Sequence, residues 1–434
     1  KLYDGKDRSF FFFNYEEWRF RRYENPIFSV PTAEQRRGDF SQLRNANGGL
    51  IPLYDPATTR ANPAGAGFVR DLFPGNVVPS NRHDPVSLNY LPFYPLPNRP
   101  PTNVFTNSNN YISSNAEARS MRQYTIRGDQ RLGSHNTLFA RYSFYKHFTD
   151  GGIGGVLPDP VVRRRLDNWT NKNFILSDTH TFAPWLLNEL RAGVTRLAFR
   201  WNSASFGGDW PRRLGLPDSV PPFTIPAVSN GLPSLTTGEF GVRTSTITEL
   251  TNTMTLIRGS HTWKFGATVR INRTNNFQIG TSSGSFTFPA TLTGNPLSPA
   301  GTGNGLATFL LGTVGSASVN VGAGTAQHGY STSFFVQDDW KATRRLTLNL
   351  GLRYDYQPWP VERYDRISNF NPFAVDPITG FLGRLEFAGL DFGRAVLENV
   401  KTSFGPRVGF AYNLGGASKT VLRGGYGIFY PMVF

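Results

Sequence analysis

Residues 346–357, Leu346-Thr347-Leu348-Asn349-Leu350-Gly351-Leu352-Arg353-Tyr354-Asp355-Tyr356-Gln357, alternate apolar and polar side chains without a break. Successive side chains of a strand point to opposite faces. One face therefore carries Leu346, Leu348, Leu350, Leu352, Tyr354 and Tyr356. The other carries Thr347, Asn349, Gly351, Arg353, Asp355 and Gln357. Strands of soluble proteins usually run about five or six residues, whereas a tilted strand crossing a bilayer needs about 9–11. The length of this one favours a membrane.

The same alternation recurs outward from this stretch. In 262–272, Trp263, Phe265, Ala267, Val269 and Ile271 oppose Thr262, Lys264, Gly266, Thr268, Arg270 and Asn272. In 403–414, Phe404, Pro406, Val408, Phe410, Tyr412 and Leu414 oppose Ser403, Gly405, Arg407, Gly409, Ala411 and Asn413. Period-two runs predict about eleven strands, near 9–20, 122–132, 137–147, 170–182, 185–201, 247–258, 261–275, 330–341, 345–357, 403–414 and 419–430.

The connections alternate strictly between long and short. Short turns fall at 133–136, near Pro184, at Gly259-Ser260, at 341–344 and at 415–418; long loops fall at 21–121, 148–169, 202–246, 276–329 and 358–402. Placing every long loop at one end is the habit of an outer-membrane β-barrel, with short periplasmic turns and long extracellular loops. The fold expected is all-β, an antiparallel meander forming part of a large barrel. Trp185, Trp263 and Trp340 near the short turns, and Trp18, Trp201, Tyr356 and Phe429 near the long loops, are expected to form two aromatic girdles. The insert 21–121 is proline-rich and reads mostly as extracellular loop; its aromatics Phe40, Tyr54, Phe68, Phe73, Tyr90, Phe93 and Tyr94 suggest a small external cap. One short helix is expected over 304–311.

Composition agrees. The 434 residues include 45 Gly, 31 Pro, 36 Phe and 17 Tyr, with 14% aromatic and only 17% charged residues, as suits many strands joined by polar, glycine-rich loops. There is no cysteine and there are six scattered histidines, so neither disulfides nor a thiolate metal site is possible, and no cofactor is implied. The longest uncharged stretch, 274–337, is full of Gly, Ser, Thr and Asn and does not supply the roughly 20 apolar residues of a membrane helix. The net charge is +15, yet the densest basic clusters, Arg163-Arg164-Arg165 and Arg21-Arg22, are short and sit just beyond predicted strands. Most other arginines alternate with apolar residues, which argues against a nucleic-acid arm.

No enzymatic motif survives its context. Gly280-Thr281-Ser282-Ser283-Gly284 has nucleophile-elbow spacing but lies in a polar loop without the flanking strand and helix. Gly415 to Thr420 resembles a phosphate loop but precedes a strand. Asp338 and Asp339 are neighbours in a strand, so their carboxylates diverge. Arg127, Arg131, Arg141, Arg191, Arg270, Arg353 and Arg407 share the polar face of their strands, which in a wide barrel lines the lumen. There they are candidate contacts for an anionic ligand or for acidic residues of a plug, or are simply solvated.

Several segments resemble a known family, the TonB-dependent receptors of the Oar-like type found in acidobacteria. Lys6-Asp7-Arg8-Ser9-Phe10-Phe11-Phe12-Phe13-Asn14-Tyr15-Glu16 resembles its first barrel strands. Val30-Pro31-Thr32, Arg37-Gly38-Asp39-Phe40, Tyr54-Asp55-Pro56 and Tyr94-Pro95-Leu96-Pro97-Asn98 are similar to markers of its long insert. Residues 333–341 with 346–355 resemble a barrel hairpin of such receptors, and Pro406 to Tyr412 with Leu422 to Gly427 the next one. The similarity covers nearly the whole chain. It implies a 22-stranded barrel with an N-terminal plug, residence in a bacterial outer membrane among its lipids, and import of an unknown extracellular ligand driven by the inner-membrane TonB complex. The plug, the TonB box and the final strands are not among these residues, so 1–434 is expected to be an incomplete barrel domain.

Three functional readings follow: a receptor-transporter, a passive porin-like channel, and a soluble β-rich adhesin or carbohydrate-binding protein. The last needs polar residues on both sheet faces at mid-strand, which Leu346 to Leu352 contradicts.

Overall fold

A computed structural model describes residues 4–151, 165–230, 232, 234–236, 238–415 and 420–431. Eleven long strands form one antiparallel sheet: β1 (Ser9–Glu24), β2 (Asn115–Leu132), β3 (Asn136–Gly151), β4 (Arg165–Ala183), β5 (Leu186–Ser203), β6 (Phe240–Arg258), β7 (His261–Ile279), β8 (Thr325–Trp340), β9 (Leu346–Tyr356), β10 (Phe404–Asn413) and β11 (Val421–Gly427). Each pairs with the strand before and after it, so the sheet is an uninterrupted meander. Among the described residues β1 pairs only with β2, and β11 only with β10.

The eleven expected strands are all present, but most of β1 to β8 extend further toward the long loops than periodicity alone indicated. At up to 19 residues and about 3.3 Å per residue, they outrun the roughly 25 Å apolar band of an outer-membrane barrel even when tilted. Arg21, Arg22 and Arg165 consequently lie inside strands and not beyond them. Arg163 and Arg164 lie outside the described residues, as do most of the expected loop 148–169 and the expected turn 415–418 with the phosphate-loop-like residues.

Cross-strand register assigns the faces. Phe13, Ile126, Tyr142, Phe174 and Val194 pair in a row across β1 to β5. Leu250, Val269 and Thr332 pair across β6 to β8, and Leu350 pairs with Val408 across β9 and β10. All these residues share one face, and the apolar ones among them that are half exposed have no protein to cover them: Ile126, Leu250, Val269 and Leu350 are each 41–50% exposed. This face meets lipid, because hydrocarbon is the environment in which an uncovered apolar band costs nothing. Ala267 and Phe410 lie on it as well, whereas Arg270, Arg353 and Arg407 lie on the opposite face.

Two of the three tryptophans expected in the lower girdle lie on the lipid face, the third, Trp185, sits in the turn between β4 and β5, and the upper girdle differs from its expectation. Trp263 and Trp340 are on the lipid face near the short turns, with His261 stacked between them at ring distances of 5.9 and 5.3 Å. Near the long loops, Tyr356 is on the lipid face, but Trp18 and Trp201 point to the interior. Phe429 lies beside the interior Arg407. Trp201 is buried and continues an interior stack, Trp169 on Phe199 at 3.7 Å and Phe199 on Trp201 at 4.6 Å. The upper lipid-facing aromatics are instead Tyr15, Tyr124 and Phe144 on one row and Tyr330 with Tyr356 further round. Proximity to a loop fixes height, while odd or even position fixes the face.

The insert is more than loop. Residues from three long connections share one apolar core: Phe40, Leu53, Phe73, Val78, Tyr90 and Tyr94 from the first, Trp210, Leu214, Ile225 and Leu235 from the second, Phe288, Leu306, Phe309 and Leu310 from the third. The helix Gly305–Leu310 forms where expected, capped by Asn304, whose side-chain oxygen accepts from the amides of Leu306 (2.9 Å) and Ala307 (3.3 Å). Backbone bonds tie the connections together, Tyr54 donating to Thr293 (2.8 Å) and Asp84 to Leu310 (2.7 Å). A small sheet joins Ala227–Ser229, Ser285–Thr287 and Ser316–Ser318. The fifth connection, between β9 and β10, instead carries a separate hairpin, Ser368–Val375 with Leu382–Phe387.

Candidate functional site

The seven arginines singled out in the sequence do share one face, the interior one, on six of the strands β2 to β10. Three are on a single hydrogen-bonded row: Phe12, Arg127, Arg141, Ile175, Gly193, Glu249, Arg270 and Ser331 pair in succession from β1 to β8. Arg127 and Arg141 are direct cross-strand partners. Arg191 lies one interior row nearer the short turns, opposite Ser177 and Thr251. Arg131, Arg353 and Arg407 fall on other rows and are not gathered with them.

What the sequence reading missed is the set of acids interleaved with these cations. Arg127 binds Asp129 through Nε (2.8 Å) and Nη2 (2.6 Å), and its guanidinium sits over the Phe139 ring at 4.2 Å. Arg353 holds Asp355 at 2.9 Å, and Arg191 pairs with Glu189. Arg270 reaches across strands to Glu249, at 2.8 Å from Nε and 2.6 Å from Nη2. The signal was available: Arg-x-Asp or Glu-x-Arg in a strand places both charges on one face, two residues apart. Arg131 donates to the Asp7 carbonyl (3.4 Å), and Arg407 lies over Phe429 at 4.6 Å. The buried Nε of Arg141, by contrast, has no hydrogen-bond partner among the described residues. Four of the seven arginines on this polar face are thus paired with acids.

The remaining motifs resolve into structure. Ser282 is fully buried and its hydroxyl lies 3.2 Å from that of Thr224, inside the loops. Asp338 and Asp339 diverge: the first faces lipid-side His261 at 2.7 Å, the second accepts from Asn349 at 2.6 Å on the interior face. Among the described residues no three His, Asp or Glu side chains gather as a metal site.

A sheet of long, sequentially paired strands, apolar outside and charged inside, with its long loops at one end, defines the wall of a bacterial outer-membrane β-barrel. The chain belongs to the outer membrane beta barrel domain family, whose model matches residues 5–434. No curated protein is detectably similar in sequence. Among solved structures, it is similar to FpvA of P. aeruginosa bound to a heterologous pyoverdine (11% identity over 73% of this chain and 37% of that one, TM-score 0.39). It is similar too to the alcaligin receptor FauA from Bordetella pertussis (9% identity, 70% and 35%, TM-score 0.37). A third is the ferric-catecholate import receptor Fiu from E. coli K12 (14%, 70% and 47%, TM-score 0.35). The chain spans less than half the length of each of these three.

Proposed function

We propose that the chain is the barrel portion of an outer-membrane receptor-transporter that takes up an extracellular ligand by TonB-coupled import through a plugged lumen. The observation that carries this reading is the cap. Three connections at the long-loop end share one apolar core, which gives a preorganised surface of the sort that binds a ligand without first paying to order its loops. A passive pore has no use for so large a folded structure at its mouth. The motif resemblance to TonB-dependent receptors of the Oar-like type supports the same reading and supplies the energy coupling. Arg141, which faces the interior beside Arg127, is a candidate contact for an anionic group of the cargo.

Proteoliposomes carrying the intact protein test the choice between receptor and porin without knowledge of the ligand. In an isotonic arabinose solution they should swell no faster than empty vesicles, because a plugged barrel does not pass a free sugar. Swelling at the rate given by a general porin would replace this reading with the passive channel.

A further inference from the structure

On the lipid face an exposed aromatic ring is accounted for by hydrocarbon. On the interior face it is not, and the interior carries a row of such rings near the long loops. Trp18, Met121, His147, Trp169 and Phe199 pair in succession across β1 to β5. Trp169 stacks on Phe199 at 3.7 Å, and Trp18 meets His147 edge-on at 6.3 Å. With neighbouring strands about 4.8 Å apart, the row runs for about 19 Å along the wall. Trp18 is 43% exposed, and Trp169 and Phe199 are half-buried. Apolar surface gathered in this way on a wet face marks a place of contact.

The two interior rows next to it, on the side of the short turns, are of another kind. The first carries Gln123, Tyr145, Asn171, Ser245, Thr274 and Gln327. The second carries Asn14, Thr125, Ser143, Asn173, Thr195 and Asn272. The Thr125 and Ser143 hydroxyls lie 3.0 Å apart, and the Asn173 amide donates to the Thr195 hydroxyl at 2.8 Å. Among the described residues the one charged side chain in these two rows from β1 to β8 is Glu16, which accepts from the Gln123 amide at 2.7 Å. The row of Arg127 and Arg141 follows only after them, six residues and so about 20 Å from the rings.

Rings beside amides and hydroxyls, with little charge, define a ligand chemistry. An aromatic face packs against apolar C–H surface. Amides and hydroxyls both donate and accept, as a ligand's own hydroxyls require. A neutral sugar presents both on one small ring, C–H groups on its faces and hydroxyls at its edge. A strongly anionic cargo would instead be met by cations at the same height. Among the described residues these three rows hold one lysine or arginine, Arg243, at the β6 end of the aromatic row.

We propose that this part of the inner wall binds a neutral oligosaccharide, its sugar rings lying along Trp18, Trp169 and Phe199 and its hydroxyls meeting Gln123, Asn171 and the row beyond. The inference rests on the receptor reading and names the class of its cargo. Arg127 and Arg141 are reached only deeper in the wall.

The intact protein in detergent is titrated by calorimetry with linear hexasaccharides of glucose, mannose, xylose and galactose, and with hexagalacturonate as the charged counterpart. At least one neutral hexasaccharide should bind, and more tightly than hexagalacturonate. Trp18→Ala and Trp169→Ala should each weaken that binding about tenfold, and Trp169→Phe, which keeps a ring, should recover most of it. Phe174→Ala, on the lipid face of the same strand as Trp169, should bind as the parent does. The proposal is overturned if the unmodified protein binds none of the neutral hexasaccharides, a result that needs no variant to fold. Tighter binding of hexagalacturonate than of every neutral probe overturns it too, as does parental affinity in both tryptophan-to-alanine variants. Absence of binding by a protein whose vesicles stay closed to arabinose would remove the saccharide and leave the receptor, so the two readings fail separately.

Discussion

The sheet and the cap are held together by opposite means. Of the large buried apolar side chains among the described residues, only Trp201 and Ile279 come from the eleven long strands, both near the long loops. The cap takes most of the others, and Tyr90, Tyr94, Phe40, Leu53 and Leu310 are all less than 2% exposed there. The cap is an ordinary folded unit, stabilised by removing apolar surface from water and by close packing. The sheet has no such core. Its cohesion comes from continuous backbone ladders and from the bilayer, which covers one face, while ion pairs and water satisfy the other. The same chain therefore obeys two solvents, and substitutions of similar size should act in different ways in the two regions.

The largest expected effect is in the cap. Phe309 is buried, meets Tyr90 edge-on at 5.9 Å and Phe288 at 5.0 Å. Phe309→Ala should cost roughly 3–5 kcal/mol of cap stability and raise hydrogen exchange in 40–94, 210–235 and 286–310 together. Heat-resistant migration of the assembled barrel should not change. If the strands lost protection along with the cap, the two would be one cooperative unit and the contrast would fall.

The lipid face gives the next effect. Leu350 is uncovered by protein and pairs with Val408 and Asp338. Leu350→Arg should cost roughly 2–4 kcal/mol if it lies near the bilayer midplane, seen as reduced assembly into outer membrane or vesicles, while the cap's exchange rates in detergent stay as they were. Normal assembly with Arg at 350 would mean that this face does not meet hydrocarbon.

The difference between the regions also decides what was legible in the sequence. In a sheet bathed on both faces, each side chain answers to its immediate surroundings, so period two in 346–357 or 262–272 reads out the structure directly. Strand ends were less visible, because above the bilayer both faces meet polar surroundings and the alternation fades: 240–246 and 115–121 look like loop but are strand. The interior acids were legible in Arg127-Gly128-Asp129 and Arg353-Tyr354-Asp355, once the period was applied to charge as well as to apolar residues. The cap was not legible. Its core unites residues as far apart as Phe40 and Leu310, without any local period to announce them; only the aromatic content of the insert hinted that something packed there.

A smaller effect comes from one ion pair in the cap. Asp55 is largely buried, which pushes its carboxyl up, but the Arg82 guanidinium at 2.9 Å and the Ala57 amide at 2.9 Å more than offset this and hold it below the usual carboxylate range. A carboxyl depressed in the folded state contributes stability that is complete above its unfolded pKa of about 3.9 and is lost as pH falls through the folded value. The cap should therefore loosen below about pH 4. Asp55→Asn should cost about 1–3 kcal/mol at neutral pH and flatten that acid limb, read as cap hydrogen exchange corrected for the intrinsic rate. An unaltered acid limb would assign it to other carboxylates.

The smallest effect is expected on the interior face of the sheet. Arg353 is on the same strand as Leu350 but faces the other way, and its charge is shared with Asp355 through contacts of 2.9 and 3.0 Å. Both side chains are still more than one fifth exposed, so the pair is wet, and an ion pair in such surroundings contributes about 0–1 kcal/mol. Arg353→Ala leaves Asp355 with access to water, so no buried charge is orphaned. Assembly and heat-resistant migration should match the parent. If the interior carries cargo, the change should appear in uptake, because a net negative charge has replaced a neutral pair on the wall. The comparison with Leu350 is the informative one: two positions three residues apart, one intolerant of a charge and the other indifferent to losing one. Assembly that failed with Ala at 353 yet proceeded with Arg at 350 would reverse the two faces along the whole strand, since a one-residue change of register exchanges them completely.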